Sequence, residues 1–298
     1  MDPLVPIRRR ALEEADAAFF AGWLPRARTM YEHLVDQALA AGDHGLEATS
    51  RSMLARCLLR RRDPEAASIQ LDRARAALPE EDRVAEARVR AAQVRFIAGS
   101  ATGPSLTNAM REYYEWAANH DEAAALDAAT LLADHSEADE RVDWYRRAID
   151  HGRQAKQPVQ VGGLCHALAA TLESLERLPE ALDAYKSALK LHELHGDRRQ
   201  LVASRWAVGA IAARLEDHVL AQESLQAAVD EASQSMECED LLALALADLA
   251  GVHQEWGDDI EARRLLLQAM AIGREIAMSQ RWPERWTAMM EHAKRLEL

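Results

Sequence analysis

Several residue types are scarce in this 298-residue chain. Only 5% of its residues are aromatic, and it has 3 cysteines, 9 prolines and 4 lysines. It contains no stretch of about 18 consecutive apolar residues, the length that a membrane-spanning helix needs. The basic amino terminus is not followed by the apolar segment of a secretory signal. We therefore expect a protein that neither spans a membrane nor carries a secretory signal.

The three cysteines, Cys57, Cys165 and Cys238, are far apart, and none belongs to a Cys-x-x-Cys pair. A sparse, odd number of cysteines is typical of a reducing cytoplasm rather than of a disulfide-stabilised secreted protein. Cys57 and Cys165 lie in apolar helical stretches, where a free thiol packs as a small hydrophobic group. We therefore predict a cytoplasmic protein in which Cys57 and Cys165 are buried.

The net charge of −13 is unevenly distributed. Residues 1–100 carry 16 arginines and 15 acidic residues, whereas residues 101–298 carry 20 basic and 34 acidic residues. An acidic surface repels phosphate backbones. We interpret the arginine runs at 8–10 and 60–62 as solvated helix ends. The weaker alternative is a basic patch that binds RNA, formed by Arg56, Arg60, Arg61 and Arg62.

Motifs that would indicate an enzyme are missing. The sequence has no glycine-rich phosphate loop, no G-x-G-x-x-G, no G-x-S-x-G and no His-Glu-x-x-His. His192 and His195 have a spacing that would let them share a metal ion, but two histidines at a helix end are more often a surface feature that the helix dipole stabilises. We predict no catalytic activity, no cofactor and no metal site.

What the chain has in abundance is alanine, 59 residues in all. Many of these alanines belong to a recurring pattern in which a small residue is followed by a large one at i+4 and by a small or apolar one at i+7. Because these positions lie on one face of a helix, the small residues allow a second helix to approach closely. The pattern occurs at Ala27/Tyr31/Leu34, Ala67/Leu71/Ala74, Ala181/Tyr185/Ala188, Ala221/Leu225/Ala228 and Ala262/Leu266/Ala269, and more weakly at Arg141/Tyr145/Ala148.

Successive copies of the pattern are 40 or 41 residues apart, except that 74 residues separate Ala67 from Arg141. This longer interval fits one further, degenerate repeat, so seven repeats are predicted. In the third repeat, Ala109 or Met110 and Tyr113 or Tyr114 take the corresponding places. Each repeat is interpreted as two helices, with turns at Gly22, Arg62–Pro64, Arg177–Pro179, Glu216–Asp217 and Gly257–Asp258. Asp63 is the expected N-cap of a second helix, and Gly42, Gly152 and Gly196 are the expected helix ends. No alternating Val/Ile/Thr-rich run indicates a strand.

This pattern resembles the tetratricopeptide repeat (TPR) family over nearly the whole chain. The family's small first-helix residue matches Ala55, Ala169, Gly209 and Ala250, and its second-helix alanine matches Ala27, Ala67, Ala181, Ala221 and Ala262. The period of about 40 rather than 34, the missing first-helix tryptophan and the missing terminal proline depart from the family pattern. The longer period resembles that of the extended-helix branch found in kinesin light chains, mitotic-spindle adaptors and many bacterial regulators.

The resemblance implies an all-α, right-handed solenoid of antiparallel helix hairpins over residues 1–298, with a C-terminal capping helix at about 282–298. It also implies that the first helices line a concave groove for peptides or partner helices. For each groove residue, a merely solvated first-helix position is the alternative. The expected groove residues are Arg9, Leu12, Asp16, Ser52, Arg56, Arg60, Gln93, His166, Glu173, Trp206, Arg214, Gln254 and Glu255.

Two groove features refine this expectation. Chaperone-binding members of the family use an asparagine at a fixed inward position, and none occurs at the matching positions of this chain, so a carboxylate clamp for chaperones is not expected. Trp206, flanked by Ala203, Ala210 and Ala213, either anchors an apolar side chain of a partner or packs against the neighbouring repeat.

Two segments interrupt the repeats. Residues 99–105 form the only small-residue linker, interpreted as a degenerate repeat or as a hinge. The C-terminal segment places Trp282, Trp286, Met289, Ala293 and Leu296 on one face. Such a helix covers the open end of a solenoid, or alternatively it docks onto a second copy and forms a homo-oligomer.

We therefore expect a non-catalytic scaffold or adaptor that binds a peptide or helix of another protein. The alternative is a regulatory receptor whose superhelix changes curvature when a ligand or peptide binds. Nucleic acid is not an expected partner. The many alanines and arginines, with few lysines, are typical of a GC-rich bacterial source.

Overall fold

The computed structural model describes residues 4–99 and 103–298, and within these ranges the chain forms sixteen α-helices and no strand. The predicted all-α class is confirmed. None of the helices in these ranges is long and apolar enough to cross a membrane. Residues 100–102 of the predicted linker lie outside the described residues. The helices are α1 (Val5–Phe20), α2 (Leu24–Ala41), α3 (His44–Arg60), α4 (Pro64–Ala77), α5 (Arg83–Ala98), α6 (Pro104–Ala118), α7 (Glu122–Asp134), α8 (Ala138–Gln154), α9 (Pro158–Ser174), α10 (Leu178–His195), α11 (Arg198–Arg214), α12 (His218–Ala232), α13 (Glu239–Glu255), α14 (Asp259–Glu275), α15 (Met278–Arg281) and α16 (Pro283–Arg295).

The helices belong to two compact units, Met1–Ser136 and Glu137–Leu298. Unit 1 contains α1–α7 and unit 2 contains α8–α16. Within each unit, consecutive helices pack against each other as hairpins. The boundary separates α7 from α8, the two helices expected to form the fourth hairpin. One continuous solenoid of seven hairpins therefore stays a prediction.

The turns inside the hairpins repeat with the same period as the sequence. Gly22, Arg62, Glu176, Glu216 and Gly257 each adopt a positive φ between the first and the second helix of a hairpin. The N-cap of the next helix is often an aspartate whose carboxylate accepts a backbone N–H from the third helical residue. Asp63 does so from Ala66 at 3.1 Å, as predicted, and Asp217 and Asp258 do so at 3.2 Å. The repeats of the sequence therefore also share a backbone conformation at the turn and an aspartate that caps the next helix.

Two of the three glycines predicted to end helices do so, and only one of them has the left-handed geometry. Gly42 follows α2 with a φ of 65°, the left-handed geometry that glycine adopts without a steric penalty. Gly152 instead lies buried inside α8, and it is Lys156 that adopts the left-handed φ after this helix. Gly196 follows α10, but with an extended backbone. The prediction for Gly152 was wrong because α8 continues to Gln154, so Gly152 lies two residues inside the helix.

The small residues of the second helices lie where their helix meets its neighbour. In the third repeat, Met110 and Tyr113 are buried rather than Ala109 and Tyr114. Gly209 on α11 allows an especially close approach, since a Cβ atom there would lie 2.6 Å from the Cγ of Leu225 on α12. The repeat residues Ala27, Tyr31, Ala67, Ala181, Tyr185, Ala221 and Ala262 are all buried, and so are Cys57, Cys165 and Cys238.

The last helix, α16, packs its apolar face onto its own chain. Met289, Ala293 and Leu296 are buried in the core cluster that α13 and α14 form. The ring of Trp286 lies over Gly273 of α14, where a Cβ atom would be only 2.8 Å from it. Trp282 remains 38% exposed. The packing of α16 explains why this segment carries a stripe of large apolar residues, whereas self-association through it stays a prediction.

Candidate functional site

The predicted groove residues lie in both units and are described for each unit separately. Those of unit 1 are Arg9, Leu12, Asp16, Ser52, Arg56, Arg60 and Gln93, and those of unit 2 are His166, Glu173, Trp206, Arg214, Gln254 and Glu255. Arg9 is highly exposed and lies 3.5 Å from Glu13 on the same helix. Gln93 is partly buried. Asp16 takes part in polar contacts of unit 1, and Glu173, Trp206 and Arg214 take part in polar contacts of unit 2.

A recurring arrangement joins a tyrosine of a second helix to a carboxylate and an arginine of first helices; we call it the Tyr–carboxylate–Arg triad. In its first copy, the Tyr31 hydroxyl donates a hydrogen bond of 2.7 Å to Asp16. Arg88 of α5 donates two more to the same carboxylate, at 3.0 and 2.6 Å. Burial, followed by the Asp16 charge, raises the pKa of Tyr31 well above its usual value, so the phenol stays a donor.

The triad recurs twice. In unit 1, the Tyr113 hydroxyl lies 3.3 Å from Asp127, which also accepts two hydrogen bonds from Arg95. In unit 2, Tyr185 donates to Glu173 at 3.1 Å, and Arg214 donates to the same carboxylate at 2.9 Å. In each triad the arginine neutralises the charge of the carboxylate. The hydrogen bonds of the triad connect a second helix to the neighbouring first helices. The three triads consist of Tyr31/Asp16/Arg88, Tyr113/Asp127/Arg95 and Tyr185/Glu173/Arg214.

The triad of unit 2 forms one wall of a pocket of about 340 Å³. The first helices α9, α11 and α13 line this pocket, and α16 closes one side; we call it the Trp206 pocket. The Trp206 indole N–H donates a hydrogen bond of 2.7 Å to Asp248 on α13. The Arg285 guanidinium of α16 lies 5.5 Å from the centre of the indole ring. The lining residues include Glu173, Tyr185, Trp206, Ala210, Ala213, Arg214, Ala247, Asp248, Gln254, Glu255, Arg285, His292 and Arg295.

The charges of the Trp206 pocket are only partly paired. Glu173 is held by its triad, and Asp248 accepts the indole N–H. Burial raises the pKa of Asp248, although the hydrogen bond from Trp206 acts in the opposite direction. Among the described residues, Arg285 and Arg295 have no carboxylate within ion-pair distance. Two guanidinium groups of the pocket therefore have no carboxylate partner, although the lining is balanced in formal charge, with Glu173, Asp248 and Glu255 beside Arg214, Arg285 and Arg295.

The pocket brings together five of the predicted groove residues, namely Glu173, Trp206, Arg214, Gln254 and Glu255. His166 lies beside it, edge to face with the Tyr185 ring at 5.0 Å. Sequence reasoning missed Asp248 and Arg285. Asp248 lies 42 residues after Trp206, about one repeat period, so a search for polar pairs one period apart would have found it. Arg285 lies on α16, outside the repeats, and no periodic signal marks it.

His192 is not the surface residue that its position at a helix end suggested. Its side chain is buried, and its Nδ1 lies 2.8 Å from the Ser204 hydroxyl. Its Nε2 has no hydrogen-bond partner among the described residues and faces Gly162, where a Cβ atom would be 2.6 Å away. His195 is exposed, so the two rings do not converge. In the described ranges, no group of three or more His, Cys, Asp or Glu residues is placed to hold a metal ion.

Buried histidines make unit 2 sensitive to acid. Burial lowers the pKa values of His166, His192 and His292 below 6.5 in the folded state. As the pH falls below about 6.5, the unfolded chain takes up protons that the folded chain does not, so stability is lost. We predict a decrease of up to about 1.4 kcal/mol per pH unit for each histidine in that window. Urea unfolding at several pH values between 7.5 and 5 measures this decrease in the free energy of unfolding.

The matched variants for this prediction are His192→Asn and His195→Asn. Asparagine keeps a hydrogen-bonding group near Ser204 but does not titrate, so His192→Asn is expected to flatten the acid slope. His195 is exposed, and His195→Asn is expected to leave the slope as it is. Equal slopes in the parent and in His192→Asn would show that His192 is protonated equally in both states.

No protein-family model matches the chain, and no curated protein matches its sequence. Solved structures do match its fold. The apo form of RapI is 13% identical at a TM-score of 0.72, over 96% of this chain and 85% of that one. A Signal Transduction ATPase with Numerous Domains (STAND) protein with a tetratricopeptide repeat sensor, from Pyrococcus horikoshii, is 14% identical at a TM-score of 0.70. That match covers 96% of this chain, which spans only 43% of the length of the STAND protein.

A third match is the C-terminal part of a TPR repeat-containing protein from Cytophaga hutchinsonii. It is 12% identical at a TM-score of 0.59, over 88% of this chain and 95% of that one. At these identities the matches define the fold alone. The chain is an all-α protein of TPR-like helical repeats.

Proposed function

We propose that the chain is a non-catalytic interaction scaffold that binds a segment of another protein at the Trp206 pocket. We also propose that its repeats belong to the extended-period branch of the TPR family. The observation that carries the functional proposal is the setting of Trp206. Its indole is held by Asp248 on one side and by Arg285 on the other, and it lies in a recess of first helices. A rigid aromatic group in a recess is the kind of residue that dominates binding energy at interfaces.

The lining of the pocket suggests the chemistry of the bound segment. Trp206, Ala210, Ala213 and Ala247 supply apolar surface, and Arg285 and Arg295 supply unpaired positive charge. About 340 Å³ accommodates one or two side chains rather than a whole helix. The segment is therefore expected to insert an apolar side chain beside Trp206 and to present a carboxylate to the two arginines.

Site-specific photo-crosslinking tests this proposal. A benzoylphenylalanine at Ala210, inside the pocket, is expected to crosslink a partner in cell lysate, and peptide mass spectrometry then identifies the inserted segment. The same group at Leu267, which is 52% exposed on α14 and lines no pocket described here, is the matched control. Trp206→Ala is expected to weaken binding of the identified segment about thirtyfold or more.

Circular dichroism of Trp206→Ala establishes that its helix content equals that of the parent. Crosslinking at Leu267 rather than at Ala210 would place the interaction on the outer helices and overturn the proposal. Unchanged affinity of a folded Trp206→Ala variant for the identified segment would also overturn it.

The alternative is a regulatory receptor, in which partner binding depends on a third component. One of the structures with this fold is described as containing a tetratricopeptide repeat sensor, and this description is what favours the alternative. The two functions differ in a reconstituted assay with purified partner. A scaffold binds the partner alone, whereas a receptor binds it only with, or only without, an added small molecule or peptide.

A further inference from the structure

Unit 1 contains a second recess, of about 280 Å³, that the proposed function does not use. It lies where α1, α3 and α5 come together, and we call it the Phe19 recess. The ring of Phe19 forms its floor and is almost completely buried. The described residues that line it are Phe19, Arg56, Leu59, Arg60, Arg95 and Gly99.

Two arginines of α3 extend over the same aromatic ring. The guanidinium carbon of Arg56 lies 5.0 Å from the centre of the Phe19 ring, and that of Arg60 lies 4.5 Å from it. The two residues are one helical turn apart, so both side chains leave the same face of α3. Cation–π contacts with the Phe19 ring thus bring two guanidinium groups close together. These groups repel each other unless an anion lies between them or nearby.

No carboxylate of the described chain forms an ion pair with either arginine, although the charge of Asp127 partly opposes the lowering of the Arg56 pKa. Neither Arg56 nor Arg60 has an ion pair with a described residue; the only hydrogen-bond acceptor near Arg56 is the Met53 sulfur, at 3.6 Å. The Arg56 Nε is buried and has no hydrogen-bond partner among the described residues. An uncompensated, partly buried guanidinium is costly for a protein to maintain.

Two carboxylates on the first helices of unit 1, Asp127 and Asp16, are already used by the triads. Asp127 accepts two hydrogen bonds from Arg95, the third arginine of the recess, and Asp16 accepts two from Arg88. Burial and, next, the charge of Arg95 lower the pKa of Arg56 to about 10. Arg56 is therefore still protonated at neutral pH. The recess carries a net charge of about +2 because Arg95 is neutralised by Asp127 and the other two arginines are not.

We propose that the Phe19 recess is a binding site for the oxyanion, phosphate or carboxylate, of a small molecule. The planar fork of a guanidinium matches the two oxygen atoms of either group. Leu59 provides an apolar wall for the part of the ligand that carries the oxyanion, and the Phe19 ring lies beneath the two guanidinium groups. A recess of this size encloses a small molecule but not a nucleic acid backbone, which requires a continuous basic stripe. The proposal is independent of the Trp206 pocket, which belongs to the other unit.

Isothermal titration calorimetry at constant ionic strength tests whether the Phe19 recess binds an oxyanion. The probes are inorganic phosphate, phenyl phosphate and succinate, with chloride as the reference anion. We expect one saturable site per chain for at least one probe. Tighter binding of phenyl phosphate than of inorganic phosphate is expected if the apolar wall contributes, and a preference for succinate would identify the carboxylate as the natural group.

The variants are chosen so that charge and position are separated. Arg56→Gln and Arg60→Gln each remove one charge from the recess and are expected to weaken binding at least tenfold. The double variant Arg61→Gln/Arg62→Gln removes two charges from the same end of α3 but none from the lining, and it is expected to change affinity less than about threefold. If Arg56→Gln does not fold by circular dichroism, Arg60→Gln carries the test, because Arg60 is exposed.

Three results would overturn the proposal. One is the absence of saturable binding for all three probes. Another is an equal loss of affinity in Arg60→Gln and in Arg61→Gln/Arg62→Gln, which would indicate only general attraction of anions to the helix end. The third is that a single-stranded RNA binds more tightly than the three probes and that both sets of variants weaken this binding equally. This result would indicate a basic surface that binds nucleic acid rather than a recess that binds a small oxyanion.

Discussion

Replacing Ala262 with tryptophan is expected to destabilise unit 2 by about 3 kcal/mol or more. Ala262 is completely buried in the core cluster that α13 and α14 share with α16. Neighbouring positions such as Ala250 and Leu266 are equally buried, so an indole ring there has to displace a helix rather than a side chain. Chemical unfolding followed by circular dichroism measures the change in the free energy of unfolding.

Ala271→Trp is the matched control. It makes the same substitution on the same helix, at an exposed position of α14. It is expected to change stability by less than about 0.5 kcal/mol. Ala221→Trp, at the corresponding small position of the preceding repeat, is expected to behave as Ala262→Trp does. Unchanged unfolding curves for both buried variants would mean that these alanines do not lie between helices.

Much of the fold was predictable because it depends on short spacings. The i, i+4, i+7 pattern of small and large residues identified the second helices, and Asp63 marked the start of one of them. Where two neighbouring residues fitted the pattern equally, as with Ala109 and Met110, spacing alone was insufficient. In the structure, Met110 and Tyr113 share the buried face, and the Tyr113 hydroxyl lies 3.3 Å from Asp127.

The polar contacts of the candidate site were less accessible from the sequence. Within unit 2 they join residues about one repeat apart, 41 positions for Glu173 and Arg214 and 42 for Trp206 and Asp248. Such pairs are detectable in principle once the period is known. In unit 1, Asp16 and Arg88 are 72 positions apart, which is not one period. Their contact depends on the way α1 and α5 are packed, and no local pattern encodes that packing.

The triads also explain why charged residues can lie on the first helices of the hairpins. Each of the three carboxylates is close to a buried tyrosine and is paired with an arginine, so the helices can pack around it. Among the described residues, Arg56, Arg60, Arg285 and Arg295 have no carboxylate partner of this kind. The two proposals thus rest in part on arginines that contact an aromatic ring but form no ion pair with a described residue.

The triad of Asp16 is expected to contribute strongly to the stability of unit 1. Asp16→Ala leaves the buried Tyr31 hydroxyl without its acceptor and Arg88 without its carboxylate. Arg88 is 28% exposed in its side chain, so water compensates for part of the loss, and we expect a cost of about 2–3 kcal/mol rather than the full cost of a buried unpaired charge. Tyr31→Phe, which removes one hydrogen bond and leaves the ion pair, is expected to cost about 1 kcal/mol.

Two comparisons distinguish this explanation from a general effect of removing a charge. Asp72→Ala breaks an exposed ion pair with Arg75 on α4, and it is expected to cost less than about 0.5 kcal/mol. The double variant Asp16→Leu/Arg88→Leu removes both charges, and it is expected to be more stable than Asp16→Ala because no unpaired guanidinium remains. If the double variant is the less stable of the two, Asp16 acts through its packing rather than through its charge, and the triad is not the unit that stabilises these helices.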